Sequence, residues 1–248
     1  MAAAAVVEHC GRLIDAAGPA CVGAKLQLAC FERLGPEGWR ALHEVAAIAR
    51  RAGLLLIADG KRGDVPISAQ AYAEALLGET ATPWGPIPGL GADAVTANPL
   101  LGRDALQPLV AAAARSGAGV FALVRTTNPG AAELQDQPTA EPLHERLAAI
   151  VAEAAPELMG AAGLSGMGAV VGATAPELIG RLRELMPAAI FLIPGVGAQG
   201  GRPQDLGAAF AAGPAAAIVA ASRSIAGADD PAAAAEQLRA EVWAASAS

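Results

Sequence analysis

Short apolar runs alternate with amphipathic segments along almost the whole chain. The apolar runs predict β-strands at 20–24, 54–58, 92–97, 119–124, 169–172, 189–193 and 215–220. The segments around them have apolar residues at helical spacing and predict helices at 3–16, 37–52, 66–77, 103–115, 141–155, 175–186, 203–212 and 231–245. Continuously apolar strands alternating with helices are typical of a parallel sheet that is covered on both faces.

The order of these elements predicts the fold class. Seven strands and eight helices alternate, and an α/β protein of the (β/α)8 TIM-barrel type has eight of each. The pattern begins on a helix, so we expect a TIM barrel that lacks its first strand. No linker or repeat divides residues 1–248, which are expected to form a single, N-terminally short barrel domain.

The composition narrows the class of protein. Residues of the AVILMFWYC set make up 54% of the chain, which is enough to bury a core and excludes a disordered chain. No apolar run reaches the roughly 18 residues of a membrane span, and the start lacks the basic region of a signal peptide. The net charge of −7 argues against nucleic acid and anionic membranes as partners. Cys10, Cys21 and Cys30 form no metal-type pair, which predicts reduced thiols in a cytoplasmic protein.

Lysine is rare in this chain. Of the 17 basic residues, fifteen are arginine and only Lys25 and Lys61 are lysine. Both lie at the ends of predicted strands, where parallel barrels collect their reactive groups. Lysine can be tuned to release a proton near neutral pH, whereas arginine cannot. The two positions therefore indicate required amines rather than lysines that persist by chance.

Two aspartates accompany Lys61. Asp59 lies two residues before it, so the two side chains point the same way on an extended strand. Together with Lys25 and Asp64 they predict a row of alternating charges, in which each member favours the charged form of its neighbours. A protonated Lys61 held by carboxylates is a proton donor for a carbanion. The structural alternative is a salt-bridge cluster that only closes the barrel mouth.

The loops after the last two predicted strands are suited to a phosphate group. Residues 194–201 form a Gly-rich turn that includes Gln199 and Gly200, and Arg223 follows the seventh strand. Barrel loops at these places often bind phosphate through backbone N–H groups, and arginine can add a bidentate contact. The Gly-rich segment alone is equally compatible with a tight turn, but with Arg223 it predicts a phosphate site.

The loop after the fourth predicted strand carries hydroxyl and amide groups. Thr127 and Asn128 could bind the edge of a heterocycle, although an Asx-Pro turn is the simpler interpretation of this segment by itself. The three histidines lie in predicted helices, away from strand ends. No combination of histidine, cysteine and carboxylate predicts a metal site.

Five motifs resemble those of orotidine 5′-phosphate decarboxylases, most closely the longer bacterial subfamily called type 2. They are Asp59-Gly-Lys-Arg-Gly-Asp64, Thr127-Asn-Pro-Gly130, Gly172-Ala-Thr174, Pro194-Gly-Val-Gly-Ala-Gln-Gly-Gly201 and Ser222-Arg-Ser-Ile225. The resemblance extends from about residue 5 to residue 230. The combination of the first and fourth motifs is highly specific.

The resemblance implies a barrel that converts orotidine 5′-phosphate to UMP, the last step of de novo pyrimidine biosynthesis, without cofactor or metal. Lys61 matches the proton donor of the family. Lys25, Asp59 and Asp64 match the rest of its charged network. The family forms homodimers with shared active sites, and Asp64 matches the position that reaches the neighbouring subunit.

The resemblance also implies contacts to the substrate. Ser68 matches a hydroxyl position near the edge shared by the two subunits, and Thr127 matches the residue close to the pyrimidine. Gln199 and Arg223 match the residues that hold the phosphate.

One feature departs from the family pattern. The family opens with a strand whose aspartate contacts the ribose. In this chain the predicted helix 3–16 matches the segment after that strand, and no segment before it matches the strand itself. A barrel without that strand is expected to expose sheet edges. Two other functions stay open: a Mg²⁺-dependent decarboxylase or aldolase-like enzyme acting on a sugar phosphate, and an inactive nucleotide-binding remnant.

Overall fold

The computed structural model describes residues 1–247. Its strands are β1 (Gly23–Gln27), β2 (Leu55–Arg62), β3 (Glu79–Thr80), β4 (Ile87–Pro88), β5 (Ala94–Ala97), β6 (Gly119–Arg125), β7 (Ser165–Val171), β8 (Ala189–Pro194) and β9 (Ala217–Ala220). Its α-helices are α1 (Ala2–Ala17), α2 (Leu28–Glu32), α3 (Pro36–Arg51), α4 (Pro66–Leu76), α5 (Arg103–Ser116), α6 (Ala131–Leu134), α7 (Leu143–Ala154), α8 (Ile179–Leu185), α9 (Arg223–Ala226) and α10 (Pro231–Ser246). None of these helices is long and apolar enough to cross a membrane.

Seven of the strands form one sheet in the order β1-β2-β5-β6-β7-β8-β9. Every neighbouring pair in this sheet is parallel, and β3 and β4 form a separate small hairpin. The sheet curls into a nearly closed barrel with helices around it. The prediction of a TIM-type barrel with seven strands is therefore confirmed.

A wide cleft separates the two edge strands. Within residues 1–247, β1 pairs only with β2 and β9 pairs only with β8. The cleft between them has a volume of about 1520 Å³, and its walls include Lys25 and Gln27 of β1 and Ile218 and Ala220 of β9. The expected sheet edges are thus present, and they give the barrel interior a lateral opening.

Apolar side chains pack on both faces of the sheet. Inside the barrel lies a small buried cluster made of Ile57, Ala94, Phe121, Val170 and Leu192. A much larger cluster lies between the sheet and the surrounding helices, and it includes Leu56 and Ala58. Because side chains alternate along a strand, the same register that turns Ile57 inward also turns Asp59 inward.

The strand boundaries differ from the prediction at the residues that matter most. The strand predicted at 20–24 begins later, because Gly18–Ala20 forms a 3₁₀ turn, and Lys25 lies in the middle of β1. The second strand extends past its predicted end and takes in Asp59 and Lys61, since Asp59 pairs with Gln27 of β1. The helix predicted at 203–212 is a 3₁₀ segment, Pro203–Phe210, whose Gly207 disfavours an α-helix.

Candidate active site

A buried carboxylate between two lysines forms the centre of the site. Asp59 is only 3% exposed and lies on the inner face of β2. The Nζ atom of Lys25 is 2.6 Å from its Oδ2 atom, and the Nζ atom of Lys61 is 2.6 Å from its Oδ1 atom. The two lysines of the chain therefore hold the same carboxylate, one on each oxygen.

Two neutral side chains complete the hydrogen bonding of Asp59, and sequence reasoning missed both. The hydroxyl of Thr96 on β5 donates to Asp59 Oδ1 at 2.9 Å. The amide of Gln27 donates to Asp59 Oδ2 at 3.4 Å. Gln27 is the direct cross-strand partner of Asp59, so the β1–β2 register, once known, locates it.

The pKa of Asp59 lies below its ordinary value. Burial by itself raises the pKa of this carboxyl group. The charges and hydrogen bonds of Lys25 and Lys61 outweigh that effect, so the net shift is downward. At neutral pH Asp59 is a fixed negative charge that orients both ammonium groups.

Lys61 has a backbone conformation that is unusual for a side-chain-bearing residue. Its φ of 48° is the only positive φ of a non-glycine residue in residues 1–247, and backbone strain of this kind concentrates at functional sites. The N–H of Lys61 donates to Thr96 Oγ1 at 2.9 Å. The next residue, Arg62, pairs with Glu32 and lies 5.3 Å from the ring centroid of Tyr72. These contacts hold the end of β2 in place.

Asp64 and Ser68 lie outside this charged cluster. Asp64 forms no ion pair in residues 1–247, so its place in the row of charges stays a prediction. Its Oδ1 atom accepts the backbone N–H of Val65 at 2.8 Å, because the chain leaves β2 after Arg62 and turns into α4. Ser68 is half-buried in the first turn of α4.

The Gly-rich segment after β8 forms a compact loop next to Ser224. Gly195, Gly197 and Gly200 have φ values of 102°, 76° and 93°, which side-chain-bearing residues rarely adopt. A Cβ atom on Gly197 would lie 3.0 Å from Ser224 Oγ. The neighbouring Arg223 is exposed and forms no ion pair within the described part of the chain. The two predicted phosphate loops are therefore in contact, with a free guanidinium beside them.

Thr127 packs between the ends of β7 and β8. A Cβ atom on Gly172 would lie 2.8 Å from Thr127 Cγ2, and one on Gly195 would lie 2.9 Å from the same atom. The Gly195 position also lies 3.1 Å from Gln199 Oε1. Thr127 and Gln199 of the Gly-rich loop therefore both lie next to Gly195. A side chain at Gly172 or at Gly195 would prevent this close approach. Gln199 and Arg223 line the same cleft as Lys25.

No cluster suited to a metal ion occurs near these residues. In residues 1–247, no three side chains of histidine, cysteine, aspartate or glutamate lie together in a way that could hold one. His144, one of the three histidines in predicted helices, is 4% exposed and contacts Asp136.

Comparison with known proteins identifies the family of the chain. A family model described as orotidine 5′-phosphate decarboxylase / HUMPS matches residues 6–238. An orotidine 5′-phosphate decarboxylase of Rhodopirellula baltica is 44% identical over 90% of this chain and 73% of its own length. One of Deinococcus radiodurans is 42% identical over 86% of this chain and 74% of its own length.

A solved structure gives the same result at the level of the fold. The OMP decarboxylase of Leishmania donovani superposes with a TM-score of 0.78 at 35% sequence identity. The match covers 99% of this chain and 90% of that one. Since the family model spans most of the chain and the relatives exceed 40% identity, the chain belongs to the orotidine 5′-phosphate decarboxylase / HUMPS family.

Proposed function

We propose that this chain decarboxylates orotidine 5′-phosphate to UMP, the last step of de novo pyrimidine biosynthesis. The observation that carries the proposal is the buried Asp59 carboxylate with Lys25 and Lys61 each at 2.6 Å, at the end of the barrel where reactive groups collect. The names of the curated relatives support the same substrate.

The proposed chemistry follows from the charges of the site. The bond between C6 of the pyrimidine and its carboxylate breaks, CO₂ leaves, and the electron pair stays on C6. No π system accepts that pair, so a fixed positive charge beside C6 lowers the barrier. The Lys61 ammonium supplies this charge and then transfers one proton to C6, which gives UMP. Asp59 holds Lys61 in place, and its charge beside the substrate carboxylate raises the energy of the ground state.

The turnover test separates this function from its alternatives. We expect the purified chain to convert orotidine 5′-phosphate to UMP, followed by ultraviolet absorbance, at the same rate with and without EDTA. Turnover of a sugar phosphate instead of orotidine 5′-phosphate, lost with EDTA and restored by Mg²⁺, would favour the metal-dependent sugar-phosphate enzyme. Tight UMP binding without any turnover would favour the inactive remnant.

The substrate phosphate is proposed to bind at Gln199, Gly200 and Arg223. Gly200 lies in the Gly-rich loop, and Arg223 adjoins Ser224, which contacts that loop at Gly197. Binding energy from a phosphate remote from C6 helps to hold the closed site in which the charges act.

Replacing Arg223 by alanine is expected to weaken UMP binding by about 2–3 kcal/mol, the usual contribution of a hydrogen bond to a charged group. Uridine, which lacks the phosphate, should bind both forms equally. Isothermal titration with the two ligands measures this difference. The matched control is Arg115→Ala, another exposed arginine, at the end of α5. An equal loss for UMP and uridine would show that Arg223 supports the fold instead.

We further propose a homodimer with shared active sites. Asp64 lies apart from the charged cluster of its own chain, and it adjoins exposed apolar residues, of which Ile67 is 83% exposed and Val65 50%. Leu100 is 54% exposed on the neighbouring segment, which is joined to the end of β2 by the hydrogen bond from Asn98 N to Arg62 O at 2.7 Å. An apolar surface next to an unpaired acid fits a second copy whose site needs that acid.

Mixing two inactive variants tests the sharing. Lys61→Ala and Asp64→Ala should each be nearly inactive as homodimers. After exchange of subunits, half of the dimers are mixed and one of their two sites is intact, so about a quarter of normal activity should return. Activity after mixing is measured against each variant alone. If Asp64 acted within its own subunit, every site would carry one substitution and no activity would return.

The compartment we propose is the cytoplasm. Cys10, Cys21 and Cys30 are free thiols, as is usual where disulfides are kept reduced. Burial raises the pKa of Cys10 and of Cys21, which keeps both in the unreactive thiol form.

A further inference from the structure

Lys61 lies at a point where the regular pairing of β2 is interrupted. The β2–β5 ladder is regular up to Ala58 and resumes at Arg62, which pairs with Ala97. Between these two points the backbone N–H of Lys61 donates to a side-chain oxygen, Thr96 Oγ1, at 2.9 Å. The β2–β5 ladder therefore does not by itself fix the backbone of Lys61, whose φ is 48°.

Packing does not fix the side chain of Lys61 either. This side chain is 42% exposed, and its ammonium donates to Asp59 Oδ1. A side-chain-bearing residue keeps a positive φ only where the surrounding structure enforces it. The position of Lys61 Nζ thus depends on what holds the chain on either side. On the amino-terminal side that residue is Asp59, which is buried and pairs with Gln27 of β1.

Arg62 holds the chain on the carboxyl-terminal side. Its side chain extends to the surrounding helices, where the guanidinium forms an ion pair with Glu32 of α2. The same guanidinium lies 5.3 Å from the ring centroid of Tyr72 of α4, which is within the range of a cation–π contact. The backbone oxygen of Arg62 accepts the N–H of Asn98 at 2.7 Å. Three separate parts of the chain therefore contact the residue that follows Lys61.

The glycines on either side of this pair of residues leave little space. A Cβ atom on Gly60 would lie 2.7 Å from Leu28 Cδ1 and 3.1 Å from Arg62 Nε. A Cβ atom on Gly63 would lie 2.6 Å from the backbone oxygen of Asn98. With Arg62 in place, the end of β2 is held closely against α2 and against the segment that follows β5.

We infer that Arg62 is a positioning residue for Lys61. Its ion pair with Glu32 fixes the end of β2, which keeps the backbone of Lys61 at a positive φ and its ammonium at Asp59. Without this ion pair the end of β2 can relax, and a change of φ at Lys61 turns the ammonium away from Asp59. The inference rests on the proposed function, in which Lys61 is the proton donor.

The first experiment measures turnover of orotidine 5′-phosphate by Glu32→Gln. This variant removes the charge that holds Arg62 and leaves the sequence of β2 unchanged. We expect kcat to fall at least about tenfold, because displacing a reacting group by about 1 Å can cost about 100-fold. The affinity for UMP, measured by isothermal titration, should stay within about twofold of wild type, since an interaction made only in the transition state does not contribute to ground-state binding.

A second variant shows whether Glu32 acts through Arg62. Arg62→Gln should lower kcat in the same way as Glu32→Gln. The double variant should lose no more activity than Arg62→Gln alone, because both substitutions break one interaction. Independent losses that multiply in the double variant would contradict a shared route to Lys61.

A third measurement does not depend on catalysis. The chain has only two lysines, so labelling lysine with ¹³C at Cε gives two carbon signals, and the Lys61→Arg variant identifies that of Lys61. In wild type the two Hε protons of a fixed Lys61 should have separate chemical shifts. In Glu32→Gln and Arg62→Gln they should merge, as in a freely rotating side chain. The signals of Lys25 should stay near their wild-type positions, because it lies in the regular part of the β1–β2 ladder.

The matched control is Glu37→Gln. It removes the glutamate of an exposed ion pair with Arg40 on α3, and it should leave kcat and the signals of both lysines unchanged. Thermal melting establishes that each variant is folded.

The outcomes separate the inference from the proposed function. Normal kcat in folded Glu32→Gln or Arg62→Gln, Lys61 signals that match those of wild type, or an equal loss of kcat and UMP affinity overturns the inference and leaves the proposed function standing. Merged Lys61 signals in wild type also overturn the inference. A wild-type chain without turnover overturns the proposed function, and the lysine signals then still decide whether Arg62 positions Lys61.

Discussion

The Lys61→Arg variant is expected to lose at least three decades of kcat, or roughly 4 kcal/mol of transition-state stabilisation. Arginine keeps the positive charge beside Asp59, but its guanidinium does not release a proton near neutral pH. Lys61 Nζ lies 2.6 Å from Asp59 Oδ1, and the longer, planar arginine head cannot take that position without moving the carboxylate or the strained backbone at φ 48°. Both effects act on the reaction and should leave the proposed phosphate site at Gln199, Gly200 and Arg223 intact.

Two measurements make this prediction specific. Single-turnover decay of orotidine 5′-phosphate reports the chemical step, and titration with UMP reports the integrity of the site. The control Arg51→Lys exchanges the same two residue types at an exposed position of α3 and should leave both unchanged. Near-normal turnover by Lys61→Arg would remove Lys61 from the role of proton donor.

The sequence was sufficient to predict the cluster of Lys25, Asp59 and Lys61. The i, i+2 spacing of Asp59 and Lys61 brings them to one face of a strand whatever the details of the sheet. The position of Lys25 near them is predicted by the rule that parallel barrels collect their reactive groups at one end of the strands. Both inferences remain correct when predicted strand boundaries are wrong by a few residues. The observed bounds of β1 and β2 differ from the predicted ones in this way, and the cluster still forms.

Thr96 and Gln27 could not be predicted in the same way. Threonine is common in strands for steric reasons, so its presence in β5 carries no chemical signal. The contact of Thr96 with Asp59 depends on the β2–β5 register, which is irregular between Ala58 and Arg62. An irregularity of this kind arises from tertiary packing and leaves no periodic pattern in the sequence.

The partners of polar side chains near loops and turns are equally difficult to predict from the sequence. Asp64 is close along the chain to Asp59 and Lys61, yet within residues 1–247 its carboxylate accepts the Val65 N–H at the turn into α4 and forms no ion pair with either lysine. Arg183 would be expected at a surface, but it is 6% exposed and donates to backbone carbonyls that include those of Ala189, Ala209 and Ala216. Both outcomes depend on where the chain is directed after an element ends, and local residue patterns do not contain that information.

The second large effect is expected for Asp59→Asn, which should affect both stability and catalysis. The carboxylate is 3% exposed and has an ammonium group at 2.6 Å on each oxygen. An amide of the same shape removes the charge that holds these two ammonium groups near each other. Loss of two charge-assisted hydrogen bonds should lower the free energy of unfolding by about 2–4 kcal/mol. The displaced Lys61 should lower kcat by at least about 100-fold, or roughly 2.7 kcal/mol.

The pH dependence of this loss identifies its cause. The folded-state pKa of Asp59 is below its ordinary value, so its ionisation stabilises the folded chain at pH values above about 4. As the pH falls through the folded-state pKa, that contribution is lost, and the stability difference between wild type and Asp59→Asn should shrink. Denaturant unfolding of both proteins between about pH 3 and pH 7 measures this difference. The control Asp205→Asn removes a surface ion pair with Arg202, and its effect on the free energy of unfolding should be much smaller at any pH. If the difference in the free energy of unfolding between wild type and Asp59→Asn stayed constant as the pH fell, the shape of the Asp59 side chain and not its charge would stabilise the fold.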